Sequence, residues 1–295
     1  MSAVIGFLWY FQRSLIFPRP KKDQAMRIRH GSYIQVDVEK ENRPAGVGKR
    51  LVGCYFAPRS EDHWTLVFWH GNADQIGNVG DILGQHLNQE HGYGFLAVEY
   101  PGYALCDGEP SEKSIIWSSD RMMQYIIHEL RLNPDRVCVF GQSIGTAVAA
   151  QMAARGYAKK LIMLSPFTSI PAMCQALFPF VPNPAILICD PFNTLALAPH
   201  LNIPTLILHG NRDEIVPFSQ GQTLAKAFAL NHQQGETQQQ RNGTSSSATQ
   251  DQKRPQSKSN IRFIPLQGCG HNDTFAGPHF NTILREFKSF LSQQS

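Results

Sequence analysis

Metal centres and disulfide frameworks have little support in this sequence. Its 295 residues include six cysteines, which are scattered along the chain and form no Cys-x-x-Cys pair or His–Cys cluster. A domain of this size needs no disulfide framework, so we expect reduced and buried thiols, no metal and no cofactor. The six are Cys54, Cys106, Cys138, Cys174, Cys189 and Cys269.

Charged residues are also few. They make up 17% of the chain, and the formal net charge is only +4. Nucleic-acid binding therefore has no global electrostatic support, and the sequence contains no known nucleic-acid-binding motif. The apolar fraction of 42% is ordinary for a soluble globular protein. A chain of this length suits one large α/β domain with a substantial core.

The apolar run at the N-terminus is too short to span a bilayer. Ala3–Phe11 is apolar, Gln12 and Arg13 interrupt it, and a span needs about 20 apolar residues. A basic cluster follows this run rather than preceding it, which disfavours a signal peptide. Residues 1–30 are open to two interpretations: an anchor in the interface of an anionic leaflet, or a first helix packed on the protein body.

Strand-like and helix-like segments alternate through residues 31–295. Two leading strands followed by strand–helix repeats predict a mostly parallel sheet of about eight strands with helices on both faces. The predicted strands are Tyr33–Val38, Leu51–Ala57, Trp64–Trp69, Gly94–Glu99, Val137–Phe140, Leu161–Leu164, Thr205–His209 and Ile261–Leu266. The predicted helices are Asp74–Gln89, Glu112–Leu132, Ile144–Arg155, Ser219–Leu230 and Thr282–Ser292.

Two segments break the alternation. Residues 167–202 are rich in Phe, Leu, Ile and Pro, and we expect a compact apolar lid that favours an acyl chain beneath it. Ordinary packing of an insert against the sheet is the alternative for any one of these side chains. Residues 231–260 are dominated by polar residues, and they predict a disordered surface loop because they cannot bury enough apolar surface.

A Gly-x-Ser-x-Gly pentapeptide, Gly141–Gly145, directly follows the apolar run Val137–Phe140. This order predicts a strand, a sharp turn and a helix, with Ser143 exposed at the turn as a nucleophile. Glycine on either side supplies what such a turn requires, because a Cβ would crowd the backbone there. Ser143 is therefore the candidate nucleophile.

Two partners for this serine lie at predicted strand ends. Asp213 follows the strand Thr205–His209, and His271 follows the strand Ile261–Leu266. The chain order Ser, Asp, His is that of α/β-hydrolases. We expect His271 to act as the base and Asp213 to orient its imidazole. Glu214 and Asp273 are competing acids that fit the expected position less well.

Two backbone N–H groups are the candidates for an oxyanion hole. Ile144, directly after the nucleophile, supplies one of them. The other is expected from the loop after the strand Trp64–Trp69, where Asn72 is the first choice and Ala73 the second. His70, at the start of that loop, is interpreted as a structural residue.

Short motifs between about Trp64 and Leu291 extend the pattern beyond the three candidate residues. They are His70–Ala73, Gly102–Tyr103, Gly108–Glu112, Gly141–Thr146, His209–Glu214 and Gly270–Asp273. Together they resemble the α/β-hydrolase domain-containing protein 13 and 17 family. The segments Gln-Ser-Ile-Gly-Thr and Gly-His-Asn-Asp are more specific than the general serine-hydrolase pattern.

The resemblance implies an α/β-hydrolase fold and hydrolysis of acyl esters or thioesters. The type 17 branch looks like a group of protein depalmitoylases that act at membrane surfaces, and related sequences are often labelled serine peptidases. Ser143, Asp213 and His271 fall on the family's triad. Asp190 falls on an acidic position in the lid, for which a helix cap is the alternative.

This sequence departs from the family pattern in two places. No cysteine precedes Cys54, so the palmitoylated N-terminal cysteine cluster of the type 17 branch has no counterpart, and the apolar start resembles a shortened type 13 membrane segment. Ala104 and Cys106 stand where the family tends to have Gly and Ser. Both departures bear on the substrate and not on the chemistry.

We therefore predict a serine hydrolase that cleaves acyl esters or thioesters of a lipid or a lipidated protein, including palmitoylated proteins. Two other classes stay open. A peptidase of prolyl-oligopeptidase type usually carries a propeller domain that this length cannot hold. A binding module that kept the fold without catalysis is disfavoured by the intact triad pattern and both oxyanion segments.

The expected compartment follows from the residues beside the candidate base. Asn272, Asp273 and Thr274 form a glycosylation acceptor directly after His271, where a glycan would crowd the site. Unpaired cysteines and a basic cluster after the apolar start also favour the cytosolic side. We expect a cytoplasmic catalytic domain held weakly at a membrane by residues 1–17.

Overall fold

A computed structural model describes residues 2–181, 183–242 and 260–293. Its strands form one sheet of eight, in the order β1-β2-β4-β3-β5-β6-β7-β8. The strands are β1 Ser32–Asp37, β2 Arg50–Phe56, β3 Thr65–Trp69, β4 Gly94–Val98, β5 Val137–Gln142, β6 Lys160–Leu164, β7 Thr205–Gly210 and β8 Ile261–Leu266.

The sheet confirms the predicted fold class. Strand β2 pairs antiparallel with β1 and β4, and the other neighbouring strands are parallel. Strands β3, β4 and β6 are buried along their whole length, as expected where both faces are covered. Alternate residues of β3 belong to different core clusters, Val67 and Trp69 to one and Leu66 and Phe68 to the other. Since side chains alternate across a strand, the core lies on both faces of the sheet.

Eight α-helices are present in the described ranges. They are α1 Ser2–Ile16, α2 Asp81–His91, α3 Glu112–His128, α4 Ile144–Ala154, α5 Ile170–Leu177, α6 Pro184–Leu187, α7 Phe218–Asn242 and α8 Gly277–Leu291. Helices α5 and α6 belong to the predicted lid over residues 167–202, and the rest of this segment connects them to β6 and β7.

The prediction of a surface loop over residues 231–260 is wrong at its start. Helix α7 continues from Phe218 to Asn242, whereas the sequence predicted a helix that ends at Leu230. Gln, Glu and Arg are good helix formers, so a polar segment can extend a helix that is already nucleated. Residues 243–259 of the predicted loop lie outside the described part of the chain.

Three other helix boundaries differ from the predictions by four residues or more. The helix expected from Asp74 begins at Asp81, because Asn78 has non-helical dihedral angles of φ −105° and ψ −107°. The helix expected to reach Leu132 ends at His128. The last helix begins at Gly277 rather than Thr282, with a proline in its first turn, a position that proline favours.

The N-terminal segment packs on the body of the protein. Phe17 is buried in the core and its ring lies edge-on to Phe192, with 6.1 Å between the centroids. Arg19 then forms an ion pair with Glu109. These contacts favour the interpretation of residues 1–30 as a helix packed on the protein body. Within the described ranges, none of the helices combines the length and the apolar character needed to cross a bilayer.

The cysteines differ in part from the expectation. All six thiols are free, and four of them are buried. Cys174 is partly exposed and Cys189 is exposed, and both lie in the lid segment. The prediction of buried thiols is therefore wrong for these two.

Candidate active site

Ser143 lies at a strained turn between β5 and α4. Its backbone has φ 52° and ψ −119°, a region that residues with a side chain rarely adopt. A Cβ on Gly145 would collide with the carbonyl oxygen of Trp69, and a Cβ on Gly141 would collide with that of Gly145. Both glycines of the pentapeptide are therefore required by close backbone approach.

The structure brings the three candidate residues together. His271 Nε2 lies 3.2 Å from Ser143 Oγ, and His271 Nδ1 lies 2.8 Å from Asp213 Oδ2. All three residues are buried. Asp273, one of the competing acids, instead accepts a hydrogen bond from the backbone N–H of Gly270. The imidazole is therefore placed to take a proton from the serine while its other nitrogen donates to Asp213.

Asp213 is held in its ionised form by the groups around it. Burial raises the pKa of its carboxyl, but hydrogen bonds from His209, His271 and the backbone N–H of Val216 lower it more, so the net pKa is well below its usual range. Oδ1 accepts the N–H groups of Ile215 and Val216 at 3.0 and 2.7 Å. The carboxylate is thus fixed in place by the chain that follows it.

His209 is a neighbour of the site that the sequence analysis did not single out. Its Nε2 lies 3.0 Å from the carbonyl oxygen of Val216 and 3.4 Å from Asp213 Oδ2. The sequence does indicate this position, because His209 lies near the end of β7 and only four residues before Asp213. A second imidazole therefore faces the carboxylate that orients His271.

Both candidate oxyanion residues line the cavity that contains Ser143. Ile144 is the first residue of α4, and Asn72 lies in the loop after β3. A Cβ placed on Gly71 would lie 3.8 Å from Ser143 Cβ, which brings this loop next to the serine. The backbone N–H of Ser143 itself donates to the carbonyl oxygen of Leu164. The oxyanion role of Asn72 and Ile144 stays a prediction.

The cavity above Ser143 has a volume of about 270 Å³ and mostly apolar walls. The lid supplies one part of the wall, and α1 supplies another that the sequence analysis missed. The lid residues include Phe167, Ile170, Met173, Leu177, Phe178 and Leu187. The α1 residues are Trp9, Gln12, Leu15 and Ile16.

Polar contacts tie α1 to the lid and to the candidate oxyanion loop. Gln12 accepts the N–H of Cys189 at 2.8 Å, and Arg13 Nε donates to Asp190 Oδ2 at 2.9 Å. The side-chain amide of Asn72 donates to the carbonyl oxygen of Ile16 at 3.3 Å. Gln12 and Arg13, which interrupt the apolar run in the sequence, are thus the residues that fix α1 over the cavity.

Asp190 lies outside the group formed by Ser143, Asp213 and His271. Its Oδ1 accepts the backbone N–H of Glu112, the first residue of α3, at 2.8 Å, and its Oδ2 pairs with Arg13. A carboxylate at a helix N-terminus is stabilised by the unpaired N–H groups there. Asp190 therefore caps α3 from the lid and holds α1 at the same time.

Comparison with known proteins agrees with this geometry. Residues 65–184 match the family model described as the alpha/beta hydrolase fold. Alpha/beta hydrolase domain-containing protein 17B from Xenopus laevis is 31% identical over 84% of this chain and 73% of its own length. The chain belongs to the α/β-hydrolase domain-containing protein 13 and 17 family. The human protein 17B is 29% identical over 82% of this chain and 72% of its own length. Fold and family together support a hydrolase.

Other known proteins are similar to this family member over a shorter part of the chain, or share its fold at low sequence identity. The Caenorhabditis elegans protein aho-3 is 31% identical over 59% of this chain, which spans about half (51%) of that relative's length. An esterase from Pyrococcus furiosus superimposes with a TM-score of 0.62 at 14% identity, over 92% of this chain and 95% of its own. An acylaminoacyl peptidase from Pyrococcus horikoshii has the same TM-score at 12% identity, and 43% of its chain is covered.

Proposed function

We propose that this protein is a serine hydrolase that cleaves acyl esters or thioesters through an acyl-enzyme. The observation that carries the proposal is the continuous hydrogen-bonded path from Ser143 Oγ through the His271 ring to Asp213 at the base of an apolar cavity. A serine hydroxyl becomes a strong nucleophile when a neighbouring imidazole can take its proton. This path supplies such an imidazole together with the carboxylate that orients it.

Each group has a defined task in the proposed reaction. Ser143 Oγ attacks the acyl carbonyl while its proton passes to His271 Nε2, and the negative oxygen formed is bound by the N–H groups of Asn72 and Ile144. The C–O or C–S bond then breaks, and the leaving group takes the proton from His271. A water molecule next gives a proton to His271 and attacks the acyl-enzyme. The bond between the acyl carbon and Ser143 Oγ then breaks, His271 returns its proton to Oγ, and the carboxylic acid leaves.

The walls of the cavity support an acyl chain as the part of the substrate that binds there. The side chains around it come mainly from Leu, Ile, Phe and Val of the lid, with Trp9 and Leu15 from α1. Apolar walls of this kind bind hydrocarbon through burial of surface and offer few partners to a peptide backbone. Long-chain acyl groups on proteins, including palmitoyl thioesters, fit this chemistry and the resemblance to the type 17 branch.

Activity-based labelling separates this proposal from its alternatives. We expect a fluorophosphonate probe to label Ser143 covalently, and a medium-chain acyl thioester to be hydrolysed much faster than a peptide amide with the same acyl group. Absence of labelling in folded protein would support a binding module. Preference for the amide would support a peptidase.

We further propose that the rim of the cavity rests on an anionic membrane surface. Trp9, Leu15, Leu177 and Phe178 line the cavity and are also substantially exposed. Tyr10 and Ile186 directly adjoin the cavity residues Trp9 and Leu187 in the chain, and the ring of Phe180 lies 6.1 Å from that of Phe178 between centroids. These three side chains are exposed by 75, 77 and 67%, respectively. Aromatic and aliphatic side chains of this kind partition into the headgroup boundary, which would let an acyl chain enter the cavity from the bilayer.

The vesicle-binding test uses a matched exposed tyrosine as control. We expect the double variant Tyr10→Ser/Phe180→Ser to bind phosphatidylserine-containing vesicles at least about tenfold more weakly, since two aromatic side chains no longer bury apolar area. Tyr33→Ser, at an exposed position of β1, should bind like the wild type. Equal binding by all three proteins would contradict the proposal.

We also propose that the catalytic domain faces the cytosol. Asn272 is exposed directly beside His271, so a glycan on it would crowd the entrance to the site. A glycan found on Asn272 of the native protein would rule out this orientation.

A further inference from the structure

A fully buried acid–base pair lies behind the candidate oxyanion loop. His70 Nε2 is 2.8 Å from Glu99 Oε1, and both side chains have no exposed surface. His70 Nδ1 is 2.8 Å from the carbonyl oxygen of Gly71. In the described part of the chain, neither side chain forms a hydrogen bond or ion pair with Ser143 or His271. The pair therefore has no place in the reaction steps proposed above.

The hydrogen-bond partners of His70 and Glu99 determine which of their atoms carry protons. A carbonyl oxygen only accepts, so His70 Nδ1 carries a proton and donates to Gly71. The carboxylate of Glu99 also accepts the N–H groups of Ile76 and Tyr100, each at 3.2 Å. Burial lowers the pKa of His70, but the charge and the hydrogen bond of Glu99 raise it more, so the net pKa is raised. Because both ring nitrogens face acceptors, the Gly71 carbonyl and the Glu99 carboxylate, His70 donates from both and is an imidazolium.

The peptide group that accepts the hydrogen bond from His70 Nδ1 is the one whose N–H is the proposed oxyanion donor. The carbonyl of Gly71 and the N–H of Asn72 belong to the same peptide, which is trans, so the two point in opposite directions. The carbonyl is held toward His70 and also accepts the N–H of Asp74 at 3.3 Å. The N–H of Asn72 is consequently directed away from His70. A hydrogen bond at the carbonyl end also polarises the N–H end of a peptide.

Two tyrosines hold the rest of this loop. The hydroxyl of Tyr100 donates to the carbonyl oxygen of His70 at 2.6 Å, and the hydroxyl of Tyr103 donates to that of Asn72 at 2.8 Å. The ring of Tyr100 also packs on the ring of His70, with 4.3 Å between their centroids. The loop is therefore fixed on both sides of the Gly71–Asn72 peptide. Among the described residues, His70 is the one whose side chain donates to that peptide's own carbonyl.

We propose that His70 and Glu99 form a positioning pair that aims and polarises the Asn72 N–H toward the oxyanion of the reaction. The inference rests on the proposed serine hydrolase function and adds a cationic residue that acts through a peptide group without touching the substrate. Its effect is confined to states in which the substrate oxygen is negatively charged, because that is when the polarised N–H is stabilising.

Glu99→Gln and His70→Gln test the pair. Glu99→Gln keeps the size and an acceptor oxygen but removes the charge that stabilises the imidazolium, and His70→Gln removes the cation itself. We expect kcat per titrated active site to fall about 10- to 100-fold in each, less than the loss on deleting an oxyanion donor outright. KM for the acyl thioester should change by less than about threefold, since ground-state binding does not use this charge.

A transition-state analogue supplies a readout that a purely structural role would not change. An acyl trifluoromethyl ketone adds to Ser143 as an oxyanion, so its Ki should rise by the same factor as kcat/KM falls, while Ki for the carboxylic acid product stays constant. Active sites are counted with the fluorophosphonate probe, so misfolded protein does not enter kcat. If His70→Gln fails to fold, Glu99→Gln decides the question.

Matched controls distinguish this proposal from the proposed function. His86→Gln removes a half-buried histidine on α2 that pairs with Glu90, and it should leave kcat and both Ki values unchanged. Wild-type kcat and ketone Ki in Glu99→Gln would overturn the positioning role. Full activity in Ser143→Ala would instead overturn the serine hydrolase assignment, whatever the behaviour of His70 and Glu99.

Discussion

Replacing Ser143 with alanine is expected to reduce hydrolysis of an acyl thioester by about 10⁴- to 10⁶-fold while the protein remains folded. The loss is large because the nucleophile, base and orienting acid act as a unit. The fold should be little affected, since His271 is the one hydrogen-bond partner of this hydroxyl among the described residues, and alanine meets the same backbone strain at φ 52° as serine does. The free energy of unfolding should change by no more than about 1 kcal/mol.

Ser165 offers a closely matched control for this substitution. It directly follows β6, the neighbouring parallel strand, and it is buried with φ 51°. Its hydroxyl has no hydrogen-bond partner among the described residues. Ser165→Ala should therefore retain both hydrolysis and covalent labelling. Labelling that persists in Ser143→Ala, or that is lost in Ser165→Ala, would show that the nucleophile has been assigned wrongly.

Asp213→Asn should lower kcat by about 10⁴-fold. The amide oxygen can still accept the N–H groups of Ile215 and Val216, so the loop keeps its shape. An amide has no charge to stabilise the imidazolium of His271, and it allows the ring to adopt the wrong tautomer. Asp273→Asn is the matched control, because Asp273 bonds to the backbone of Gly270 rather than to His271. A greater loss of kcat in Asp273→Asn than in Asp213→Asn would show that Asp273, and not Asp213, orients His271.

The difference in stability between the wild type and Asp213→Asn should depend on pH. The pKa of Asp213 is lower in the folded protein than the value of about 3.9 for an unfolded aspartate, so the unfolded chain binds more protons as the pH falls. The stabilisation is complete above this unfolded value and is lost as the pH falls toward the folded one. The wild type should thus exceed Asp213→Asn in unfolding free energy at neutral pH, and the difference should shrink below about pH 4 in urea titrations. A difference that does not vary with pH would contradict the charged role.

Helix boundaries show where reasoning from the sequence loses accuracy. The helix predicted from Asp74 starts at Asp81, because Asn78 has non-helical dihedral angles in a segment where Gly77 lies close to the backbone of Met26. The helix α7 runs on to Asn242 through residues whose composition favoured a loop. Composition measures how well a segment can be buried, whereas a helix end depends on which neighbouring chain segments are already packed beside it.

The sequence by itself determined the sheet and the positions of Ser143, Asp213 and His271 at the ends of β5, β7 and β8. Strand periodicity, the Gly-x-Ser-x-Gly turn and the chain order of the three residues are local signals, and parallel strands bring their carboxyl ends to one edge. These features needed no knowledge of distant contacts.

Only the tertiary structure decided how the site is enclosed and oriented. Gln12 bonds to Leu187 across 175 residues, and the pairing of Glu99 with His70 joins the ends of two adjacent strands. Sequence periodicity does not predict such contacts. A polar residue in an apolar run can be exposed to solvent, cap a helix or bond to a distant partner. The folded chain selects among these, since a buried polar group must find a hydrogen-bond partner and the partner is wherever the fold has placed it.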